Sequence, residues 1–120
     1  MTTQEIAEQF AALCKAGRFE EAGERFWAED VVSIEPMAGD MAVLKGKAAV
    51  QGKGAWWYAN HDIHATETEG PYVNGDQFAL RFLIDVTPKA SGQRMQMEEV
   101  GLYTVQAGKV VEEKFYFRGS

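Results

Sequence analysis

Two hydrophobic periods divide the chain: before about residue 60 apolar side chains recur at helical spacing, and from Ile63 onward they alternate with a period of two. Ile6, Phe10, Leu13 and Cys14 share one face of a first helix. Thr2 and Glu5 have the spacing of a capping box at its start, and Gly17 is its stop. Phe19, Ala22, Phe26 and Trp27 predict a second helix, with Glu20, Glu21, Glu24 and Arg25 facing water and an end at Ala28-Glu29-Asp30. A strand over 31–35 follows, terminated by Pro36 and the turn residues Gly39 and Asp40. Gly46 then precedes a third helix over 47–60. Gly52 and Gly54 weaken it by about 1 kcal/mol each relative to Ala, and glycines kept there would let a neighbour pack closely. The triplet Trp56-Trp57-Tyr58 falls on its last turns, so at least one ring must leave the contact face.

The alternating half predicts strands over 63–73, 77–87, 94–105 and 109–118, with turns at Asn74-Gly75, Pro88 to Gly92 and the three residues Gln106-Ala107-Gly108. Gly70 and Pro71 are expected to bend or bulge the first of these strands. Short turns between consecutive strands require antiparallel pairing. The chain therefore reads as one domain, residues 1–120, of the α+β class: three N-terminal helices covering one face of a curved antiparallel sheet.

The faces of that sheet differ. Phe78, Leu80, Phe82, Ile84 and Val86 make one side of a strand wholly apolar, and Met97 and Phe115 should join them inside. On the opposite side Leu83, Val100, Leu102 and Tyr116 form an apolar patch among charges such as Glu98, Glu112, Lys114 and Arg118. A patch on the outer side of a sheet predicts a homodimer surface. Scattered exposed apolar residues are the plainer explanation.

With Val105 opposite Lys109, the inner face of the last hairpin collects Met97, Glu99, Gly101, Tyr103, Val111, Glu113, Phe115 and Phe117. Two carboxylates among Met, Tyr and Phe make a poor core, because burying an unpaired charge costs several kcal/mol or more. A pocket explains them better. Glu113 is the weaker candidate, since it lies nearer the hairpin turn, where even an inward face meets solvent.

Composition narrows the partners. The net charge of −6, with no two Lys or Arg residues adjacent, argues against nucleic acid. One cysteine, Cys14, excludes an internal disulfide, fits a reducing compartment, and sits on an apolar stripe where an inert thiol is expected. No leader peptide or membrane-length apolar run is evident, so the expected location is the cytoplasm. No phosphate-binding glycine loop or nucleophile elbow is present, and no cofactor is expected.

The order of elements, together with Phe26-Trp27-Ala28-Glu29-Asp30, Ile34-Glu35-Pro36 and Gly108-Lys109-Val110-Val111, resembles the nuclear transport factor two-like cone fold, and within it the SnoaL-like proteins and ketosteroid isomerases. The resemblance spans essentially the whole chain and implies a cone-shaped sheet enclosing a pocket. It implies that Glu35-Pro36 is the counterpart of the Asp-Pro pair supplying the isomerases' general base, and that Glu99 matches their second pocket acid. Phe10 stands near the place of their first-helix Tyr hydroxyl. The third helix of such folds lines the cavity mouth, which implies ligand contact by one of its Trp residues.

Glu35 and Glu99 could then serve as base and acid across an enolisable, apolar carbonyl compound. Alternatively Glu35 is exposed at a strand end and Glu99 is paired with a buried partner such as a Trp N–H or a His. His61 and His64 are candidate general bases or pocket-wall donors. With Asp62 and Glu67 they could also be read as metal ligands, but no clear third ligand is present, and no metal is expected. Phe10, Trp27, Trp57, Tyr58, Phe82, Met97, Tyr103, Phe115 and Phe117 are the expected ligand-contacting side chains, with Tyr72 a further candidate.

Overall fold

A computed structural model describes residues 1–117. Helix α1 (Thr3–Lys15) starts with the expected reciprocal cap: Thr2 Oγ1 accepts from the Glu5 backbone N–H, and Glu5 Oε1 accepts from that of Thr2. Helix α2 (Phe19–Phe26), strand β1 (Trp27–Ile34), strand β2 (Val43–Lys45) and helix α3 (Lys47–Asn60) follow. The rest is a meander of β3 (His61–Asn74), β4 (Gln77–Pro88), β5 (Met95–Gln106) and β6 (Lys109–Tyr116). Arg118, assigned above to the last strand and its outer face, lies outside the described residues.

The six strands form one curved sheet in the order β2-β1-β6-β5-β4-β3. Every neighbouring pair is antiparallel except β1 with β6, which is parallel. The expected α+β cone is present. Its core joins Ile6, Phe10 and Cys14 of α1 to Phe78 and Leu80 of β4 and Tyr103 of β5. Phe78 and Tyr103 stack with ring centroids 4.9 Å apart.

Several boundaries differ from the expectation. Trp27 is not helical; its backbone is extended and opens β1, which runs four residues earlier than predicted. Pairing of Trp27 with Val110 on β6 outweighs the helical spacing of its side chain. Strand β2 was not foreseen, because three residues at the sheet edge carry no readable alternation. The third-helix glycines serve no close approach: a Cβ on Gly52 or Gly54 would meet nothing within 4 Å.

The last hairpin has a two-residue turn, not three. Ala107 and Gly108 both have positive φ, 50° and 76°, as a type I′ turn requires. Val105 therefore faces Val110, and the register shifts before Thr104 faces Glu112, leaving Val111 as a bulge. Beyond the bulge Glu113 faces Tyr103 and Phe115 faces Gly101. Gly101 is needed there, because a Cβ would lie 2.8 Å from the Tyr103 hydroxyl.

Candidate functional site

Between the concave face of the sheet and the helices lies a cavity of about 460 Å³, within the range of small-molecule sites. Most of the expected contact residues meet there. Helix α1 contributes Phe10, β1 contributes Trp27, and α3 contributes Trp57 and Tyr58. Phe82 comes from β4, Met97 and Tyr103 from β5, and Phe115 and Phe117 from the end of the chain. Trp56 also lines the cavity while remaining 50% exposed. Tyr72 does not: it is 65% exposed on β3.

Glu35 and Glu99 open into this one cavity. Glu35 follows the last residue of β1, and its backbone N–H donates to the Ala42 carbonyl at 2.7 Å. Its side chain is not free at a strand end. Lys53 of α3 donates to Glu35 Oε1 at 2.9 Å, with both side chains only 16% exposed. That pairing fixes the Glu35 side chain beside the cavity.

Glu99 is the opposite case. Among the described residues no hydrogen bond reaches its side chain from Trp, His or any other donor, and it faces the cavity. Burial pushes its pKa up to about 7; Glu35 adds to the shift, Lys53 opposes it, and Glu113 raises it slightly further. Near neutral pH it holds a proton part of the time.

Glu113 is deeper than its nearness to the hairpin turn implied. It is 3% exposed. Trp27 Nε1 donates to Oε1 at 2.9 Å, and Ser33 Oγ donates to Oε2 at 2.8 Å. Burial raises its pKa, while Lys53, Ser33 and Trp27 pull it back. Ser33 Oγ links the two charged side chains, accepting from the Lys53 ammonium on one side and donating to Glu113 Oε2 on the other.

Lys53 and Ser33 were missed from the sequence. Lys53 falls three residues after Val50 and four before Trp57, the inward stripe of α3. Ser33 alternates with Val31 and Glu35 on the inner side of β1, and Val31 and Ser33 are both fully buried. Both signals were present in the spacing.

The two histidines separate. His61 stacks on Trp57 with centroids 3.7 Å apart, and its Nδ1 lies 2.9 Å from the Trp57 carbonyl. That contact needs Nδ1–H, so in the neutral ring Nε2 is the acceptor. His61 lines the cavity. His64 does not; it is exposed, and its Nε2 lies 2.7 Å from Thr87 Oγ1. His61 and Ile63 line the cavity, so strand alternation turns His64 to the opposite side, that of Asp62 and its partner Thr87. Among the described residues no group of three His, Cys, Asp or Glu side chains could hold a metal ion. Cys14 also reaches the cavity, but burial pushes its thiol up to about 12, so it stays protonated and inert. No helix among the described residues is long and apolar enough to cross a membrane.

Comparison with known proteins agrees with this architecture. A crystal structure from Mesorhizobium loti, provisionally described as a SnoaL-like polyketide cyclase with carbohydrate phosphatase as a second label, is 56% identical, with a TM-score of 0.96 over 98% of this chain and 100% of that one. A Bacillus subtilis protein provisionally described as an isomerase is 18% identical, with a TM-score of 0.76 over 98% and 90% of the two chains. A Catenulispora acidiphila protein with a ketosteroid isomerase-like fold, solved in complex with trimethylamine, is 19% identical, with a TM-score of 0.74 over 97% and 87%. The last two show the fold alone. No match was found among curated proteins. The family model described as SnoaL-like domain matches residues 1–117, and the chain belongs to that family.

Proposed function

We propose that the cavity binds an apolar, carbonyl-bearing small molecule and catalyses proton transfer on it without a cofactor, as an isomerase, cyclase or lyase. One observation carries this reading: a carboxylate fixed by a lysine, Glu35, and an unpaired carboxyl held near neutrality, Glu99, face the same apolar cavity. Glu35 is the base. It takes a proton from the carbon next to the carbonyl, the C–H pair forms the enol double bond, and the carbonyl electron pair moves onto oxygen. Glu99 donates to that oxygen, and His61 Nε2 is placed to assist as an acceptor. Lys53 engages Oε1 of Glu35, leaving Oε2 for the substrate.

The resulting enol can be reprotonated elsewhere, which is isomerisation, or can attack a second carbonyl, which is ring closure. The polyketide cyclase description of the Mesorhizobium loti protein fits the second outcome. Its phosphatase label fits poorly, because four glutamates against one lysine around the cavity disfavour a phosphate ester. Binding without chemistry is the second reading, favoured by Phe10, which offers no hydroxyl to a bound oxygen.

Deuterium uptake next to the carbonyl of cyclic ketones and 1,3-diketones in heavy water tests the reading. Enzyme-dependent exchange, lowered about 10²- to 10⁴-fold in Glu35→Gln and Glu99→Gln, is expected. Exchange no faster than buffer across the panel, or unchanged in Glu35→Gln, overturns it. We also propose self-association through the outer sheet face, where Val100 and Tyr116 are paired and are 37% and 46% exposed. Sedimentation should show a dimer that Val100→Glu dissociates; a monomeric wild type would end that idea.

A further inference from the structure

The proton-transfer reading uses Glu35 and Glu99 and leaves Glu113 without a task. Yet Glu113 ends a continuous chain of donors. Trp27 and Ser33 occupy its two oxygens at 2.9 and 2.8 Å, Ser33 Oγ accepts from Lys53 Nζ, and Lys53 Nζ donates to Glu35 Oε1 at 2.9 Å. The register makes the chain: Ser33 on β1 lies directly opposite Glu113 on β6. Two of the three ammonium protons are thereby spoken for. Lys53 Nζ also lies 5.1 Å from the centre of the Phe115 ring. None of its hydrogen bonds reaches Glu99.

We propose that Glu113 is a positioning residue: through Ser33 it holds the Lys53 ammonium against Glu35 and away from Glu99, so that one pocket carboxyl is anionic and the other keeps its proton. The site has three carboxyl groups and one cation. Shared between Glu35 and Glu113, that cation leaves the cluster with one excess negative charge. A proton is the remaining way to neutralise Glu99. With Glu113 neutral, or Ser33 gone, Lys53 loses its second anchor and its charge becomes available to Glu99. The other titratable groups around the cavity are Cys14 on α1, Glu20 on α2, Tyr58 on α3, His61 on β3 and Tyr103 on β5. Of all these groups, Glu35, Lys53 and Glu113 are the ones whose charge acts on Glu99.

The proposal deepens the proton-transfer reading and rests on it for its consequence, but its test needs no substrate. The full chain, labelled with ¹³C at the glutamate carboxyls, is titrated by NMR as wild type, Glu113→Gln and Ser33→Ala. The Glu99 midpoint should fall by about one unit or more in both variants. A loss of stability alone would not move that midpoint.

No shift in either variant overturns the proposal. A shift in Glu113→Gln without one in Ser33→Ala also overturns it, because Glu113 would then act only as a distant charge. If Glu113→Gln fails to fold, Ser33→Ala, which leaves the Glu113 charge in place, decides alone. If both midpoints fall while the wild type exchanges no ketone protons, the positioning stands and the proton-transfer reading is lost.

Discussion

The indole N–H of Trp27 donates to Glu113 Oε1 at 2.9 Å, and the same indole occupies the space beside Gly23, where a Cβ would lie 2.6 Å from its ring. A helix glycine thus supports a buried acid through one aromatic side chain.

Gly23→Ala should therefore destabilise the protein, although Ala at a helix position is ordinarily worth about 1 kcal/mol over Gly. Overpacking costs about 1–3 kcal/mol, and a lost hydrogen bond to a charged group costs about 1.5–3 more. Urea unfolding should show a net loss, with a shift in tryptophan emission as the indole leaves Glu113. A stabilised variant would contradict the packing described.

Glu99 should give the protein a measurable pH dependence. Its folded pKa is raised from 4.5 to about 7, so the folded state binds the proton more tightly than the unfolded chain. For a carboxyl shifted upward, stability is highest below the unfolded pKa and is lost as pH rises toward the folded one. Over that window the loss is roughly 3 kcal/mol. Glu99→Gln removes it, so the variant should gain on the wild type between pH 4.5 and 7 and hold a constant difference above. Parallel stability curves for the two proteins would rule out the raised pKa.

Lys53→Met should be costlier in alkali than in acid. Breaking a fully buried pair from one side typically costs about 3–5 kcal/mol, and this partly buried pair should cost less. Lys53 holds down the pKa of both Glu99 and Glu113, so its loss raises both further. The stability difference from wild type should then grow as pH rises above the wild type's folded values, about 7 for Glu99, because below them both proteins lose stability with the same slope. Denaturant unfolding at roughly pH 5 and roughly pH 9 measures it, and an equal deficit at both would contradict the account.

The elements with a single strong signal were legible. The Thr2–Glu5 cap and the alternation Phe78, Leu80, Phe82 leave little choice of helix start or buried face. Trp27 satisfied two patterns at once, a helical face and a strand start, and only its partner on β6 separates them. The last hairpin was read with a turn one residue too long and without its bulge at Val111. Those two errors cancel in parity, so Glu113 was placed on the inner face but judged too shallow.

His64 was a candidate base or pocket-wall donor by its spacing from His61, but with His61 and Ile63 facing the cavity it falls on the other side of the strand. Lys53 was passed over because a lysine on a helix ordinarily faces water. Its burial depends on carboxylates at residues 35 and 113, far away in sequence.

The Ser33–Glu113 register lies in the sheet's only parallel pair among the described residues, between the first strand and the last. The β3–β4 and β5–β6 hairpins close over short loops, whereas β1 and β6 must meet across nearly the full chain. Contacts of such long sequence separation are slow to form. The polar cluster is thus a seal on a completed fold: until the two ends of the chain meet, Glu113 has neither its indole nor its hydroxyl, and Lys53 has no second anchor. A folding experiment on a chain with Trp27 as its one tryptophan would register the assembly of the Trp27–Glu113–Ser33 cluster rather than the collapse of the core.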